Sequence, residues 1–152
     1  IELASGSTNT LTDGGDSTSG DGCITAKDDL TIKGEGSLVI NGNAKNGIDC
    51  NNDVKISGGN ITITATDNGI KAKQSLTVSG GTTVITAGED AIKCTDKSDE
   101  TVGEFIMDGG ELTLNAGDDG IVATVSITVT GGTISYNVAD KEYSCDGTVT
   151  IE

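Results

Sequence analysis

The stretch DNGIKAKQSLTVSGGTTVITAGEDAIK, residues 67–93, decides the fold. It leaves an acid-amide turn at Asp67-Asn68, alternates through Ile70-Lys71-Ala72 and Leu76-Thr77-Val78, and bends at Gly80-Gly81. It alternates again to Ala87, then returns to an acidic turn and a second Ile-Lys pair at Ile92-Lys93. Period-two alternation marks a strand with one buried face, and a Gly pair supplies a corner that needs positive φ. No window shows a 3.6-residue pattern, and Gly recurs too often for helices.

Working outward, the same cadence recurs: GCITAKDDLTI from Gly22, NGIDCNNDVKI from Asn46, DAIKCTD from Asp90, DGIVATVSITV from Asp119 and KEYSCDGTVTI from Lys141. The anchor residues Ile24, Ile48, Ile70, Ile92, Ile121 and Tyr143 are separated by 24, 22, 22, 29 and 22 positions. The long step marks an insertion, TDKSDETVG from Thr95 to Gly103, that should bulge out as a loop. Repeats of about 22 residues bury their apolar faces only by stacking coil upon coil at about 4.8 Å. The fold expected is all-β, a right-handed single-stranded parallel β-helix with three short strands per coil. It forms one domain, 1–152, with an irregular first coil and loop at 1–21, in which Thr12 to Gly20 is the irregular part, and regular coils at 22–152 interrupted at 95–103.

Stacking turns sequence positions into columns. Val54, Leu76, Phe105, Ile127 and Val149 form one inward column, and Ile40, Ile63, Ile85, Leu114 and Tyr136 another. Thr31, Lys55, Thr77, Ile106, Thr128 and Thr150 form an outward ladder. Cys50, Cys94 and Cys145 share an inward column with Ala26, Ala72 and Ala123, so they fall on every second coil, about 9–10 Å apart. That exceeds the Cα reach of a disulfide, about 7 Å. Cys23 stands off this column, at the turn, and reads as a semi-exposed thiol.

Acidic residues outnumber basic ones by 24 to 9, the basic ones are all Lys, and there is no His. Nucleic acid is thereby excluded as a partner, since phosphate binding needs clustered positive charge. No run of 18 apolar residues exists, so no membrane insertion is expected. With neither an initiator Met nor a secretory signal, the chain is expected to be a processed or excised segment.

Equivalent turns also stack, which places Asp67, Glu89, Asp118 and Asp140 in one column with Asn68, Asp90 and Asp119 beside it. Asp and Asn favour turns in any case, which accounts for Asn68. Doubled acids at Glu89-Asp90 and Asp118-Asp119 in consecutive coils would repel unless bridged. Ca²⁺ takes six to eight oxygen ligands of the kinds such a ladder offers. A second acidic cluster, at Asp28, Asp29, Asn52 and Asp53, has a column that breaks at Gln74-Ser75.

The units at 67–93 and GDDGIVATVSITVTGG, preceded by AKDDLTIKGEGSLVINGN, resemble the repeats of a family of secreted carbohydrate-binding β-helix proteins of anaerobic Gram-positive bacteria. The resemblance implies a pectate-lyase-like fold, an extracellular location, calcium as the cofactor, and cellulose and acidic sugars as ligands without lyase activity. By position, the family's acidic turn motif falls on Asp67, Asn68, Glu89, Asp90, Asp118, Asp119 and Asp140. Lys45-Asn46 departs from it, which speaks against a cation at that step.

The expected function is non-catalytic binding of polysaccharide, cellulose or an acidic polymer such as polygalacturonate. Lys71 and Lys93, stacked on one outward face, are the candidate sugar contacts. No Arg is present to act as a lyase base, and no nucleophile, base and orienting group converge. Cellulose is usually gripped by coplanar aromatic rings, whereas two of the three aromatics here fall in inward columns. The alternative is a structural role, a homo-polymer built by end-to-end stacking through strands at 1–3 and 148–152 into a filament or surface layer.

Overall fold

Each step of the anchor column is a parallel strand pair: Ile24 pairs with Ile48, Ile48 with Ile70, Ile70 with Ile92, Ile92 with Ile121, and Ile121 with Tyr143. The insertion therefore loops out without disturbing register. The computed structural model describes residues 1–16, 18 and 21–152. Of the expected irregular loop at 12–20, Ser17, Ser19 and Gly20 lie outside the described residues.

Two parallel sheets carry the coils. The first is six-stranded, built from Gly22–Ala26, Asn46–Cys50, Ile70–Ala72, Ile92–Cys94, Ile121–Ala123 and Tyr143–Cys145 in sequence order. The second is nine-stranded and dominated by the 13-residue strands Asp53–Ala65, Ser75–Ala87, Glu104–Ala116 and Ser126–Val138. No helix of the described residues is long and apolar enough to cross a membrane. The architecture is a parallel β-helix.

The second and third strands expected in each coil run as the two arms of one bent strand. Pairing with the neighbouring coils continues on both sides of the Gly pair, with only a register shift at the bend. The second glycine of each pair, Gly59, Gly81, Gly110 and Gly132, has φ between 83° and 93°. At Gly81 a side chain is also excluded by space, since a Cβ there would lie 2.6 Å from the Gly59 carbonyl oxygen one coil below. Only in the early coils are the arms separate strands, Leu30–Gly34 and Ser37–Gly42.

The first coil fits the register better than its sequence suggests. Glu2–Leu3 pairs with Leu30–Gly34 and Thr8–Thr12 with Ser37–Gly42, which puts Leu11 beside Ile40 at the exposed end of an inward column.

The apolar columns merge into one core running from Leu3 to Val129, with Phe105 its largest fully buried side chain. All four cysteines are free, and the Ala/Cys column holds as expected. Burial pushes the Cys94 thiol up to about 12, so no nucleophilic thiolate forms there near neutrality. Cys23 lies within the strand Gly22–Ala26 rather than at a turn, and is half-buried against the core.

Candidate metal and ligand site on the turn ladder

Backbone hydrogen bonds fix the two turn columns. The outer one runs Lys45, Asp67, Glu89, Asp118, Asp140, each amide donating to the carbonyl of the residue before it. The inner one runs Asn46, Asn68, Asp90, Asp119, Lys141 and is buried from Asn46 through Asp119. Its side chains serve the next coil. Asn46 Oδ1 accepts from the Asn68 amide at 3.1 Å, Asp90 Oδ1 from the Asp119 amide at 3.2 Å, and Asp119 Oδ1 from the Lys141 amide at 2.9 Å. The step from Asn68 to Asp90 is broken, leaving Asn68 Oδ1 buried without a partner.

Of the seven turn residues that the sequence offers as calcium ligands, the structure brings three together. Asp118, Asp119 and Asp140 bring ligand oxygens within 4.8 Å of one another, the one such acidic group among the described residues. Asp119 is only 8% exposed while the other two face solvent. Three carboxylates, the buried Asp119 among them, offer the hard oxygen donors that suit Ca²⁺. Asp67, Asn68, Glu89 and Asp90 lie in the same columns but make no comparable cluster.

Asp90 is occupied otherwise. Lys93 Nζ sits 2.6 Å from its Oδ2, and the carboxylate is 4% exposed. Lys71 Nζ lies 3.3 Å from Oδ2 of Asp49, also buried, which accepts a 2.8 Å bond from Asn46 Nδ2 as well. Asp49 did not stand out in the sequence, although it shares the outward column of Lys71, Lys93 and Val122.

The second acidic cluster is a hydrogen-bond ladder. Asn52 Nδ2 donates to Asp29 Oδ1 at 2.8 Å, Gln74 Nε2 to Asn52 Oδ1 at 2.6 Å, and Ser75 Oγ to Asp53 Oδ1 at 2.7 Å. Gln74-Ser75 therefore continues that column by supplying donors.

Beside the turn columns lies a cleft of about 520 Å³, walled on one side by the start of the insertion, Thr95 to Ser98. It gathers Lys45, Lys71, Lys73, Lys93 and Lys97 against Asp21, Asp67, Glu89 and Asp96. Five of the chain's nine lysines thus meet four acids, in a molecule where acids otherwise far exceed bases. Lys45 bonds Asp21 at 2.6 Å, which holds that exposed carboxyl below its usual range and lifts the ammonium above its own. Among the described residues, Lys73 and Lys97 make no ion pair. Asp96 Oδ1 accepts from the Ser98 hydroxyl at 2.6 Å and its amide at 2.9 Å; both bonds keep the carboxyl ionised and brace the loop beneath Lys97.

Aromatic surface is scarce. Phe105 is fully buried, Tyr136 packs half-buried against the core with its phenol pushed up to about 12 by burial, and Tyr143 is exposed on the last coil.

A family model described as carbohydrate-binding domain-containing protein matches residues 1–150. A protein of Acetivibrio thermocellus described in the same words is 47% identical over 72 residues, covering 43% of this chain and 25% of that protein. Among solved structures, the polysaccharide lyase-like protein from C. thermocellum, as its gadolinium derivative, matches with a TM-score of 0.95 at 39% identity. The match covers 100% of this chain and 64% of the other. The chain thus spans a quarter of the curated relative and less than two thirds of the solved one.

Proposed function

The chain belongs to the carbohydrate-binding domain-containing protein family, and from that premise we propose that it is an extracellular, non-catalytic, calcium-binding module that takes up acidic polysaccharide in the lysine-lined cleft. The observation that carries the reading is that five lysines gather in one cleft of a chain with a formal net charge of −15, and that two of them, Lys73 and Lys97, make no ion pair among the described residues. An anionic polymer approaching such a molecule is repelled least where lysines offset the acids. Among the described residues Lys73 and Lys97 offer ammonium groups in no ion pair; Lys71 and Lys93 add donors already steadied by buried carboxylates.

Between the two expected ligands, the side chains favour an acidic polymer such as polygalacturonate over cellulose. Crystalline cellulose calls for a flat aromatic strip, and Phe105 and Tyr136 are turned into the core. Asp118, Asp119 and Asp140 would hold the calcium, which supplies positive charge to the turn ladder. The gadolinium derivative of the similar solved protein supports this reading, because a lanthanide is a hard, oxygen-seeking cation like calcium.

The non-catalytic reading rests on the same groups. Lys71 and Lys93, the stacked lysines that face the cleft, are committed to Asp49 and Asp90, and the cleft offers neither Arg nor His. The experiment is retention on immobilised polygalacturonate and on cellulose, with calcium and with chelator. Retention on polygalacturonate that weakens with salt and chelator is expected. Passage through both columns unretained sinks the proposal.

The end coils favour a second reading. Among the described residues the exposed large apolar side chains are Ile1, Leu11, Tyr143, Val149 and Ile151, all on the first or last coil, beside open strand edges. Stacking of copies through 1–3 and 148–152 would cover them. Sedimentation of the chain as a monomer at high concentration and high calcium would remove that reading.

A further inference from the structure

We infer that Lys93 is a built-in counter-cation of the turn ladder, and that Val122, at the equivalent position one coil on, is what leaves the Asp118-Asp119-Asp140 step to an external divalent cation. The inference rests on the calcium reading above and says which residues decide where the ion goes.

The inner column carries neutral amides at Asn46 and Asn68, then carboxylates at Asp90 and Asp119. Amides can be buried with hydrogen bonds alone, whereas a buried carboxylate needs an opposite charge, at a cost of several kcal/mol when it has none. Asp90 has its charge three residues on, in Lys93 at 2.6 Å. Three residues on from Asp119 stands Val122, which is in register with Lys93 in the first sheet.

Asp119 is nevertheless 8% exposed, with Asp118 and Asp140 crowded against it. The nearest lysine in its column, Lys141, directs its ammonium to Asp140 at 3.6 Å, in an exposed pair that solvent screens. Asp49 obeys the same rule with an ammonium from the next coil, Lys71. Two of the three buried carboxylates on this side thus have a lysine, and the third has the Lys141 amide at 2.9 Å and two further carboxylates. By register, the cluster that Lys93 forestalls is Glu89, Asp90 and Asp118.

The test is calcium titration by calorimetry on chelator-treated protein, with thermal melts in parallel. Val122→Lys places an ammonium at the spacing by which Lys93 reaches Asp90, beside a lysine neighbour as Lys71 already is. It is expected to bind one calcium fewer per chain than the wild type and to lose the corresponding rise in thermal midpoint. Val122→Thr, similar in shape and uncharged, is expected to bind like the wild type. Lys93→Met is expected to bind one calcium more, and gives a second reading should Val122→Lys fold poorly. Wild-type stoichiometry in both Val122→Lys and Lys93→Met overturns the inference, as does loss of the ion in Val122→Thr, which would assign the effect to packing. A wild-type chain that binds no calcium would instead bring down the calcium reading itself, so the two failures are distinguishable.

Discussion

Stripping divalent cations with a chelator is expected to destabilise the chain by about 3 kcal/mol relative to calcium at about a hundred times its dissociation constant. For a chain of this length that corresponds to a fall in thermal midpoint of about 5–10 °C. The sign follows from where the ligands are. Asp140 brings a ligand oxygen within 4.8 Å of those of Asp118 and Asp119 only because the coils stack, so an ion held there would bind the folded chain and not the unfolded one. Without it three carboxylates repel, one of them buried. Asp119→Asn makes the comparison sharper, since Asn46 and Asn68 already fill the same column. That variant should lose the calcium response and melt in chelator at or above the wild-type temperature. Melts followed by circular dichroism check both, and superimposable wild-type curves with and without calcium would contradict the expectation.

Phe105→Ala is expected to cost about 3–5 kcal/mol of stability. Phe105 is fully buried between Leu76 and Ile127 in its column, and main-chain bonds to the coils on both sides hold the spacing. Collapse into the space left behind would require those ladders to bend, so the cavity should persist. Phe105→Leu copies the residue one coil below and is expected to cost less than about 1.5 kcal/mol. Urea denaturation measures both; a shift for Phe105→Ala no larger than for Phe105→Leu would mean that the solenoid can close up around a missing ring.

How much of this was legible depended on whether a feature repeats. The anchor column, the inward columns and the Ala/Cys alternation follow from the period alone, because each coil restates the same two-residue alternation. The insertion at 95–103 was legible for the same reason, as the one place where the spacing jumps. The bend was less so: Gly80-Gly81 announces a corner, but only the main-chain pairing on both sides reveals that the strand continues through it. The first coil lacks the Gly pair, so nothing in its sequence fixed the register that places Leu11 beside Ile40.

For the site, the turn columns were legible and the distribution of charge within them was not. Seven turn residues look equivalent by position. What separates them is whether a lysine three residues on, or one coil on, reaches the buried carboxylate, and that depends on side-chain direction across coils. Lys93 beside Asp90 and Val122 beside Asp119 are small differences in sequence with opposite electrostatic consequences. The cleft was hidden for a further reason. Lys45, Lys73 and Lys97 come from three different coils, and only the fold of the insertion against the first sheet brings them together.

The central claim, that this cleft takes an acidic polysaccharide through its lysines, is tested most directly by titrating a soluble oligogalacturonate into the wild type and a Lys73→Ser/Lys97→Ser double variant at fixed calcium, by calorimetry. Neither lysine makes an ion pair among the described residues, so their removal should leave the fold intact. Two solvent-facing ionic contacts are worth about 1–2 kcal/mol together, so binding by the wild type and about tenfold weaker binding by the variant are expected. Equal affinity in the two proteins, or no binding by the wild type, would contradict it.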